Sequence, residues 1–361
     1  MESSDADKSD VTYVGNTLKK QDREFEYLCV DDYIKNIFSA RALATAFETG
    51  IIDALIREKS LSCQSLMVKG GMDGRGMRLL LELLSKNGVV DCCDDTITFT
   101  KRFRKALEFR DLLELKIAMA GLAAHDYLNY FNDLVYKPDK FFQKVKFFRL
   151  FQYEQCLSPS RENYEATKRW MRITTTLTKY ESQACMRYHD FSFYRRMLDI
   201  GGNSGEFALQ ICRKYPGIQA VVFDLPLVCK VGRKHLHGAP EANRISFFEG
   251  NALTDALPEG FDLVSFKSML HDWPEREALQ FISNAGKALA PGGTLLIFER
   301  GLLDIDSTAD FPYSILPSML FLHFFRLPEI YESHLQKMGF QEIDIKRFNL
   351  ETPFFILTAK M

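Results

Sequence analysis

The sequence predicts an α/β protein, with a doubly wound, mostly parallel sheet in its second half and a mostly helical first half that contains a winged helix. Five short apolar segments, MLDIGG, AVVFDL, ISFFEG, DLVSFKS and GTLLIFERG, alternate with helical stretches such as 205–215 and 275–289. This alternation is typical of parallel strands covered on both faces. After a last helix at about 328–338, QEIDIKRFN and FFILTAK are joined by a short polar turn and must therefore pair antiparallel.

The helical half follows a charged segment, residues 1–22, which has too few apolar groups to repay the entropy of folding and is expected to be a flexible tail. One apolar helical stripe further on consists of Met77, Leu80, Leu81 and Leu84, and Gly88 follows it at a C-cap position. VVDCC and TITFT, separated by Asp94 and Asp95, form a hairpin candidate. Helix, helix and hairpin in this order predict a winged helix.

A winged helix often binds DNA, and Arg75 and Arg78 on its second helix would be the residues to face phosphates. Acidic residues crowd the same unit, namely Asp73, Glu82, Asp91, Asp94 and Asp95. The chain has 46 Lys and Arg against 48 Asp and Glu, a net charge of -2, and so has no global basic field. We therefore expect a packing or dimerisation unit with solvated arginines, and no nucleic-acid partner.

The length of 361 residues, 46% of them apolar and 26% charged, indicates a large core and two domains. The change from a helical to an alternating pattern near residue 190 divides the chain into domains 23–190 and 191–361. The N-terminus is polar and acidic, unlike a signal peptide, and no run approaches the ~18 apolar residues of a membrane span. The eight cysteines show no zinc-ligand spacing and are interpreted as reduced thiols. These features predict a cytoplasmic protein that binds neither metal nor membrane.

Aromatic residues are concentrated between residues 127 and 153 of a chain that has 30 Phe and 14 Tyr. Their spacing is mostly helical, which favours core or subunit-interface positions. Some of them can instead line a pocket for a flat ligand. The pattern does not distinguish the two interpretations.

The first strand–helix connection of the second half points to a nucleoside cofactor. LDIGGNSGEFALQI leads from a strand through Gly201, Gly202 and Gly205 into a helix, and glycines let the backbone approach a ligand there. The next strand ends at Asp224, where a carboxylate can hold ribose hydroxyls. Two cofactors fit this pattern: a dinucleotide, which prefers GxGxxG and a pyrophosphate at the helix N-terminus, and S-adenosylmethionine, which has no phosphate and tolerates Glu206.

The series LDIGGNSG, VVFDLP, GNAL, FKSMLHDW and LAPGGTLLIFE, followed by the terminal strand pair, resembles the S-adenosylmethionine-dependent methyltransferases. More narrowly, the chain is similar to the small-molecule O-methyltransferases of the plant caffeic acid type and their bacterial relatives, over about residues 27–361. LATAFETGIIDALI and LLELLSKNGVV match the helical dimerisation domain of that family. The resemblance implies a Rossmann-like methyltransferase fold, a homodimer and S-adenosyl-L-methionine as cofactor.

The resemblance also implies the positions of the cofactor residues. Gly201 and Gly202 match glycines beside the methionine part of the cofactor, and Asp224 matches the acid that binds the ribose. Asn251 stands where the family commonly has Asp near the adenine, and Ala252 follows it. Lys267 matches a lysine near the cofactor in plant members.

Two catalytic residues are implied in the same way. His271 in LHDWPE matches the general base of the family, and an imidazole with a pKa of about 6.5 can accept a phenolic proton near neutral pH. Glu299 in LLIFERG matches the acid that orients this histidine. Asp272 and Trp273 are expected to fix the loop, with Asp272 as a helix cap.

The sequence departs from the family in the stretch FLHFFRLPEIYE, where many members have a second acid before an Arg-Thr pair. Here Phe325 precedes Arg326, and Leu327 follows it. The departure argues against a two-acid arrangement around His271 and for an apolar pocket wall. Candidate wall residues are Met319, Phe321, Phe324 and Phe325, with Met319 and Phe324 as the predicted substrate contacts. His323 is either a second polar group of this pocket or a core or surface residue.

These observations together predict O-methylation of a hydroxyl on a planar, largely apolar small molecule, with His271 as base. Methylation at nitrogen or carbon, and a non-methylating reaction of the bound cofactor, are alternatives on the same fold. A winged-helix regulator that senses a small molecule and a nicotinamide dehydrogenase are alternatives from other classes.

Overall fold

The computed structural model describes residues 24–70, 73–151, 153–303 and 311–361. The expected tail, residues 1–22, lies outside the described residues.

The first half is mostly helical, as predicted. Its helices are α1 (Ile37–Glu48), α2 (Ile51–Glu58), α3 (Cys63–Gly70), α4 (Gly74–Lys86), α5 (Lys101–Ala106), α6 (Arg110–Tyr136), α7 (Pro138–Lys144) and α8 (Arg161–Tyr188). Short 3-10 turns lie at Glu26–Tyr33, Leu107–Phe109, Phe148–Leu150 and Tyr153–Leu157. Polar N-cap residues explain where several helices begin. Asp73 accepts hydrogen bonds from backbone N–H groups at the start of α4, and Thr100 and Ser160 do the same for α5 and α8.

A small antiparallel sheet joins the helices in the order expected of a winged helix. Its strands are β1 (Leu61–Ser62), β2 (Val90–Cys93) and β3 (Thr96–Phe99), with β3 in the middle. Asp94 and Asp95 form the two-residue turn with φ of 47° and 60°, as a tight hairpin of this hand requires. Arg75 is exposed beside Asp73, and Arg78 is exposed on the same helix.

The second half forms a seven-stranded sheet in the order β6-β5-β4-β7-β8-β10-β9. The strands are β4 (Arg196–Ile200), β5 (Gln219–Asp224), β6 (Ile245–Glu249), β7 (Phe261–Lys267), β8 (Leu289–Arg300), β9 (Gln341–Asn349) and β10 (Pro353–Lys360). The first five run parallel, and the terminal pair is antiparallel, as predicted. The helices are α9 (Glu206–Lys214), α10 (Pro226–His235), α11 (Glu275–Ala288), α12 (Leu316–Leu320) and α13 (Pro328–Lys337), with 3-10 turns at Pro240–Arg244, Leu270–Asp272 and Tyr313–Ile315.

The strand order places a ligand site at the centre of the sheet. The chain runs outward from β4 through β5 to β6 and then returns to the other side of β4 with β7. Connections therefore leave the carboxyl ends of β4 and β7 in opposite directions, and doubly wound folds bind their ligands at such a switch point.

The two halves share one hydrophobic core, since a single cluster of buried side chains includes Phe25 and Leu43 of the first half and Phe207 and Phe298 of the second. Helix α8 also contacts the second half directly, because the Thr175 hydroxyl lies 2.7 Å from the Ser204 hydroxyl. In the part of the chain that the structure describes, no helix is long and apolar enough to cross a membrane, and no group of three or more His, Cys, Asp or Glu could hold a metal ion. All eight cysteines are free thiols.

Candidate active site

A cavity of about 420 Å³ opens at the carboxyl ends of the central strands, where the switch point lies. The second half contributes strand ends and the loops that follow them, including Gly201, Asp224, Asn251, Lys267, His271 and Arg300. The first half covers the cavity with apolar and aromatic side chains from α6 to α8, including Met119, Phe147, Phe151, Tyr153, Trp170 and Leu177. The second half therefore supplies polar groups to one side of the cavity, and the first half covers the other side with mainly aromatic and apolar side chains.

The glycine turn after β4 has glycines where side chains would collide. Gly201 has a φ of +65°, and a Cβ there would lie 2.6 Å from Cγ of Met269. A Cβ on Gly202 would lie 2.5 Å from an oxygen of the buried Asp199 carboxylate. Gly201 lines the cavity, whereas Gly202 packs on Asp199 and is not among the lining residues in the described ranges. Of the two predicted glycines, only Gly201 therefore borders the cavity.

Asp224 ends β5 with its carboxylate fixed by the backbone. The N–H of Asn203 donates to Oδ2 at 2.8 Å, and the N–H of Leu225 donates to Oδ1 at 2.7 Å. Burial raises the pKa of Asp224 to about 6, against the opposing effect of these two hydrogen bonds. Each carboxylate oxygen retains an acceptor lone pair, so Asp224 can bind hydroxyl donors in the cavity.

The remaining predicted cofactor residues also border the cavity. Asn251 and Ala252 line it after β6, where the Asn251 side chain accepts the N–H of Leu253 at 3.0 Å. Lys267 lines it at the end of β7, but its ammonium group donates to Thr178 at 3.0 Å and pairs with Glu181. Lys267 is therefore committed to a buried ion pair.

His271 and Glu299 form a buried pair at the ends of β7 and β8. One Glu299 oxygen accepts the backbone N–H groups of Met269 at 2.7 Å and Leu270 at 2.9 Å. The other oxygen lies 2.6 Å from Nδ1 of His271. Because the acceptor is a carboxylate, we assign the proton to Nδ1, which leaves the lone pair of Nε2 available to accept a proton.

Opposing effects set the ionisation of this pair. Burial disfavours the imidazolium, but the charges of Glu299 and Asp272 and the Glu299 hydrogen bond outweigh it and raise the pKa of His271 above its ordinary value. For Glu299, burial is outweighed by His271 and Arg300, and its pKa is lowered. The pair therefore consists of an ionised carboxylate and an imidazole that titrates above its usual range.

A second carboxylate, which the departure from the family argued against, does flank the imidazole. Asp272 places Oδ1 3.4 Å from Nε2 of His271, on the side opposite Glu299. Its Oδ2 accepts the Tyr153 hydroxyl at 2.7 Å. Asp272 was expected only to fix the loop or to cap a helix, but α11 has Pro274 at its N-cap and no side-chain cap bond. The structure thus corrects the expectation of a single acid.

Arg326 holds the loop that carries His271. Its guanidinium donates to the carbonyl of Leu270 at 3.0 Å and to that of Trp273. It thereby satisfies carbonyls on both sides of the histidine. Arg326, which lacks its usual neighbours in the sequence, therefore holds the loop that carries His271 rather than a second acid.

The apolar wall of the cavity differs in detail from the prediction. Ser314, Ser318, Phe321 and Phe325 recur at helical spacing and face the cavity, and the rings of Phe321 and Phe325 lie 5.8 and 5.5 Å from the ring of His271. The predicted substrate residues Met319 and Phe324 lie off this face and do not line the cavity in the described conformation. Phe324 packs instead on Phe142 at 5.2 Å. His323 is exposed, with its ring edge-on to Phe142.

A network of buried charges that sequence patterns did not indicate borders the same cavity. Glu181 of α8 pairs with Lys267 and Arg300, and Arg300 also donates to the Ser268 hydroxyl at 3.0 Å. Beside it, Lys116 of α6 binds Asp31 at 2.8 Å. These partners come from distant segments, so no local motif marks them.

The parallel sheet with its switch point, the glycine turn and the strand-end acid define a Rossmann-like nucleoside-binding protein. The O-methyltransferase domain family matches residues 131–341, more than half of the chain, and the chain belongs to this family.

Curated relatives agree with this assignment. The chain is 31% identical over 199 residues to acetylserotonin O-methyltransferase of Bos taurus, and this alignment covers 52% of this chain and 57% of the relative. It is 33% identical over 156 residues to 3-hydroxy-5-methyl-1-naphthoate 3-O-methyltransferase of Streptomyces sahachiroi, covering 42% of this chain and 44% of the relative. The chain thus spans about half the length of the curated relatives it matches.

Solved structures share the fold along most of the chain. Human N-acetylserotonin methyltransferase in complex with SAM superimposes with a TM-score of 0.70 at 19% identity, over 95% of this chain and 99% of that one. The mitomycin 7-O-methyltransferase MmcR does so with a TM-score of 0.66 at 20% identity, over 89% and 94%. These similarities show the fold.

Proposed function

We propose that this protein transfers a methyl group from S-adenosyl-L-methionine to a hydroxyl group on a planar aromatic small molecule. The observation that carries the proposal is the buried His271–Glu299 pair, whose Nδ1 is bound 2.6 Å from the carboxylate while the residue borders the cavity. A positioned imidazole of this kind is suited to removing a proton from an attacking hydroxyl.

The cavity residues fit the cofactor. Asp224 can accept the two ribose hydroxyls, Asn251 can bind the adenine edge, and Gly201 leaves room for the methionine part, where a Cβ would collide with Met269. A pyrophosphate fits poorly, because the buried Glu206 carboxylate opens α9, 2.6 Å from His235. This arrangement favours S-adenosylmethionine over a nicotinamide dinucleotide.

When bound, S-adenosylmethionine supplies an electrophilic methyl group on a positively charged sulfur, which departs with the bonding electron pair as a neutral thioether. His271 Nε2 accepts the proton of the attacking hydroxyl, so that the oxygen gains nucleophilic character as the new O–C bond forms. Glu299 holds the imidazole through Nδ1 and stabilises the imidazolium. Asp272, 3.4 Å from Nε2, adds a second negative charge on the other side.

The acceptor site favours a flat, largely apolar molecule. Phe321 and Phe325 stand edge-on to the His271 ring at interplanar angles of 89° and 69°, and Phe147 and Met119 complete the apolar wall. A planar ring placed against such a wall gains from stacking and from apolar burial. The relatives named for an acetylserotonin and a naphthoate acceptor support this class.

The test is methyl transfer from labelled S-adenosylmethionine to a panel of phenols, naphthols and hydroxyindoles, with the matching anilines and the unsubstituted arenes as controls. We expect label in the hydroxylated compounds only. Label in the anilines or on ring carbon would replace O-methylation by N- or C-methylation. Absence of any product, with S-adenosylhomocysteine still bound in calorimetry, would overturn methyl transfer itself.

We also propose a homodimer, with 23–190 as the dimerisation domain and 191–361 as the cofactor domain. The second half of α6 exposes an apolar stripe at helical spacing, made of Leu128, Phe131, Val135 and Tyr136, of which Leu128 is 79% exposed. Sedimentation velocity of the protein and of Phe131→Glu tests this: a monomeric wild type would contradict the dimer. The free cysteines support a reducing, cytoplasmic location.

A further inference from the structure

A phenol from the first half reaches the carboxylate that flanks the base. Tyr153, in the 3-10 turn Tyr153–Leu157, donates its hydroxyl to Oδ2 of Asp272 at 2.7 Å. The other oxygen of Asp272 lies 3.4 Å from Nε2 of His271. Tyr153, Asp272 and His271 therefore form a chain of polar contacts that ends at the nitrogen assigned to accept the proton.

Packing leaves the Tyr153 ring little freedom. Its ring stacks on Trp273 at 6.3 Å with an interplanar angle of 18°, and it meets Trp170 edge-on at 5.4 Å. Burial raises the pKa of the Tyr153 phenol well above its ordinary value, so the hydroxyl stays protonated and is a permanent donor. A rigid donor of this kind fixes the rotamer of the carboxylate that it binds.

We propose that Tyr153 is a positioning residue, which holds the Asp272 carboxylate turned toward Nε2 of His271. The role rests on the proposed function, in which Nε2 is the base. Because Tyr153 belongs to the first half and Asp272 to the second, the hydrogen bond also makes the base depend on the docking of the two halves.

The charges around the chain give the direction of the effect. His271 is faced by Glu299, Asp272 and Arg300, while Asp272 is faced by His271, Tyr153, Glu299 and Arg300, and Asp224 acts on the phenol. Burial raises the pKa of Asp272, and both His271 and the Tyr153 hydrogen bond oppose that rise. Removal of the hydroxyl therefore raises the pKa of Asp272, weakens its negative charge and lowers the pKa of His271.

The test compares Tyr153→Phe, which keeps the ring and removes the hydroxyl, with Tyr164→Phe. Tyr164 packs in the same aromatic region, under Lys234, and does not line the cavity in the described part of the chain. Histidine labelled with ¹³C is titrated by NMR in each protein, and the resonance lost in His271→Gln identifies His271. We expect the pKa of His271 to fall by about half a unit or more in Tyr153→Phe and to stay unchanged in Tyr164→Phe.

A double-mutant cycle separates positioning from a general loosening of the fold. Asp272→Asn alone also lowers the pKa of His271, and adding Tyr153→Phe to it has little further effect, because both substitutions remove the same contribution. Equal effects of Tyr153→Phe in the two backgrounds, or an unshifted His271 in Tyr153→Phe, would overturn the proposal. If Tyr153→Phe does not fold, an unshifted His271 in Asp272→Asn serves the same purpose.

The titration needs no acceptor, so it is independent of the proposed function. If phenols are methylated, the acid limb of the kcat profile moves with the His271 titration, and kcat falls more than KM changes. A shifted titration without any methylated phenol would support the positioning of Asp272 by Tyr153 and would overturn O-methylation. Methylated phenols together with an unshifted pKa of His271 would support O-methylation and overturn the role of Tyr153.

Discussion

Two clusters of buried charge border the same cavity. They differ in whether a hydrogen-bonding atom is left without a close partner. In the Glu181–Lys267–Arg300 network, both oxygens of Glu181 bind cations, and Lys267 and Arg300 spend further donors on Thr178 and Ser268. In the His271 cluster, Glu299 accepts from three backbone N–H groups and from Nδ1, whereas Nε2 faces Asp272 at 3.4 Å and has no closer polar partner among the residues that the structure describes. We call the first cluster closed, because its charged groups bind one another, and the second open, because Nε2 of His271 keeps an available lone pair.

The difference also shows in ionisation. The charges of Arg300 and Lys267 outweigh burial and hold the pKa of Glu181 well below its ordinary value, so Glu181 stays ionised throughout the neutral range. The pKa of His271 is raised above its ordinary value, because the charges of Glu299 and Asp272 outweigh burial, and this group can still exchange a proton. A buried charge near a cavity thus indicates chemistry only where its partners leave it able to gain or lose a proton.

The largest effect is expected at the open cluster. His271→Ala removes the base and should lower kcat for a phenolic acceptor by about 10²- to 10⁴-fold. The affinity for S-adenosylhomocysteine, measured by calorimetry, should stay within about twofold, because Asp224, the proposed ribose ligand, is untouched. An unchanged kcat would remove His271 as the base.

At the closed cluster, the expected effect is on stability. Glu181→Gln leaves Lys267 and Arg300 buried without their counter-ion and should lower the free energy of unfolding by about 3–5 kcal/mol in urea denaturation. The matched control is Glu342→Gln, whose carboxylate pairs with Lys360 at the surface and should cost less than about 1 kcal/mol. Similar losses in the two variants would contradict the contrast between buried and exposed pairs.

Asp224 tests the cofactor end of the cavity. Asp224→Asn should weaken S-adenosylhomocysteine binding by about tenfold to a hundredfold, because a hydrogen bond to a charged acceptor contributes about 1.5–3 kcal/mol. Glu249→Gln is the control, since Glu249 ends the neighbouring strand β6 but pairs with Arg233 outside the cavity. Equal affinities in the Asp224 variant and the wild type would move the ribose site elsewhere.

The pH dependence of kcat tests whether Nε2 of His271 accepts the proton. Only neutral imidazole accepts a proton, so kcat should fall about tenfold per pH unit below the pKa of His271, which lies above about 6.5. In Glu299→Gln the negative charge that raises this pKa is gone, and the acid limb should move to lower pH by about one unit. An acid limb at the same pH in both proteins would show that another group controls it.

The sequence could predict the elements whose information is local. Gly201, Asp224, His271 and Glu299 each follow or end a strand, and the carboxyl ends of parallel strands meet at one edge, so their proximity follows from topology. Gly202 was predicted to contact the cofactor, but its lack of a side chain is required by Asp199 beneath it. A glycine pattern therefore predicts that another group lies close to the backbone, but it does not identify that group.

What the sequence could not predict depends on distant partners. Tyr153 and Asp272 are 119 residues apart, and Glu181 is 119 residues from Arg300, so neither contact leaves a local pattern. The second acid is a related case, because a motif that lacks one carboxylate does not reveal that Asp272, next to the histidine in the chain, places its own carboxylate 3.4 Å from Nε2. Side-chain direction settles such questions, and it is decided by packing.

The smallest effect is expected at the aromatic wall, where hydrophobic residues on two faces of one segment look alike in sequence. Phe325 lines the cavity with its ring 5.5 Å from that of His271, whereas Phe324 packs on Phe142 and Phe148 away from the cavity. Phe325→Leu should lower kcat/KM for an aromatic acceptor about threefold to tenfold, as expected for the loss of one aromatic contact. Phe324→Leu removes the same volume and should change kcat/KM less than about twofold. An equal loss in both variants would mean that the wall acts through stability rather than through contact with the acceptor.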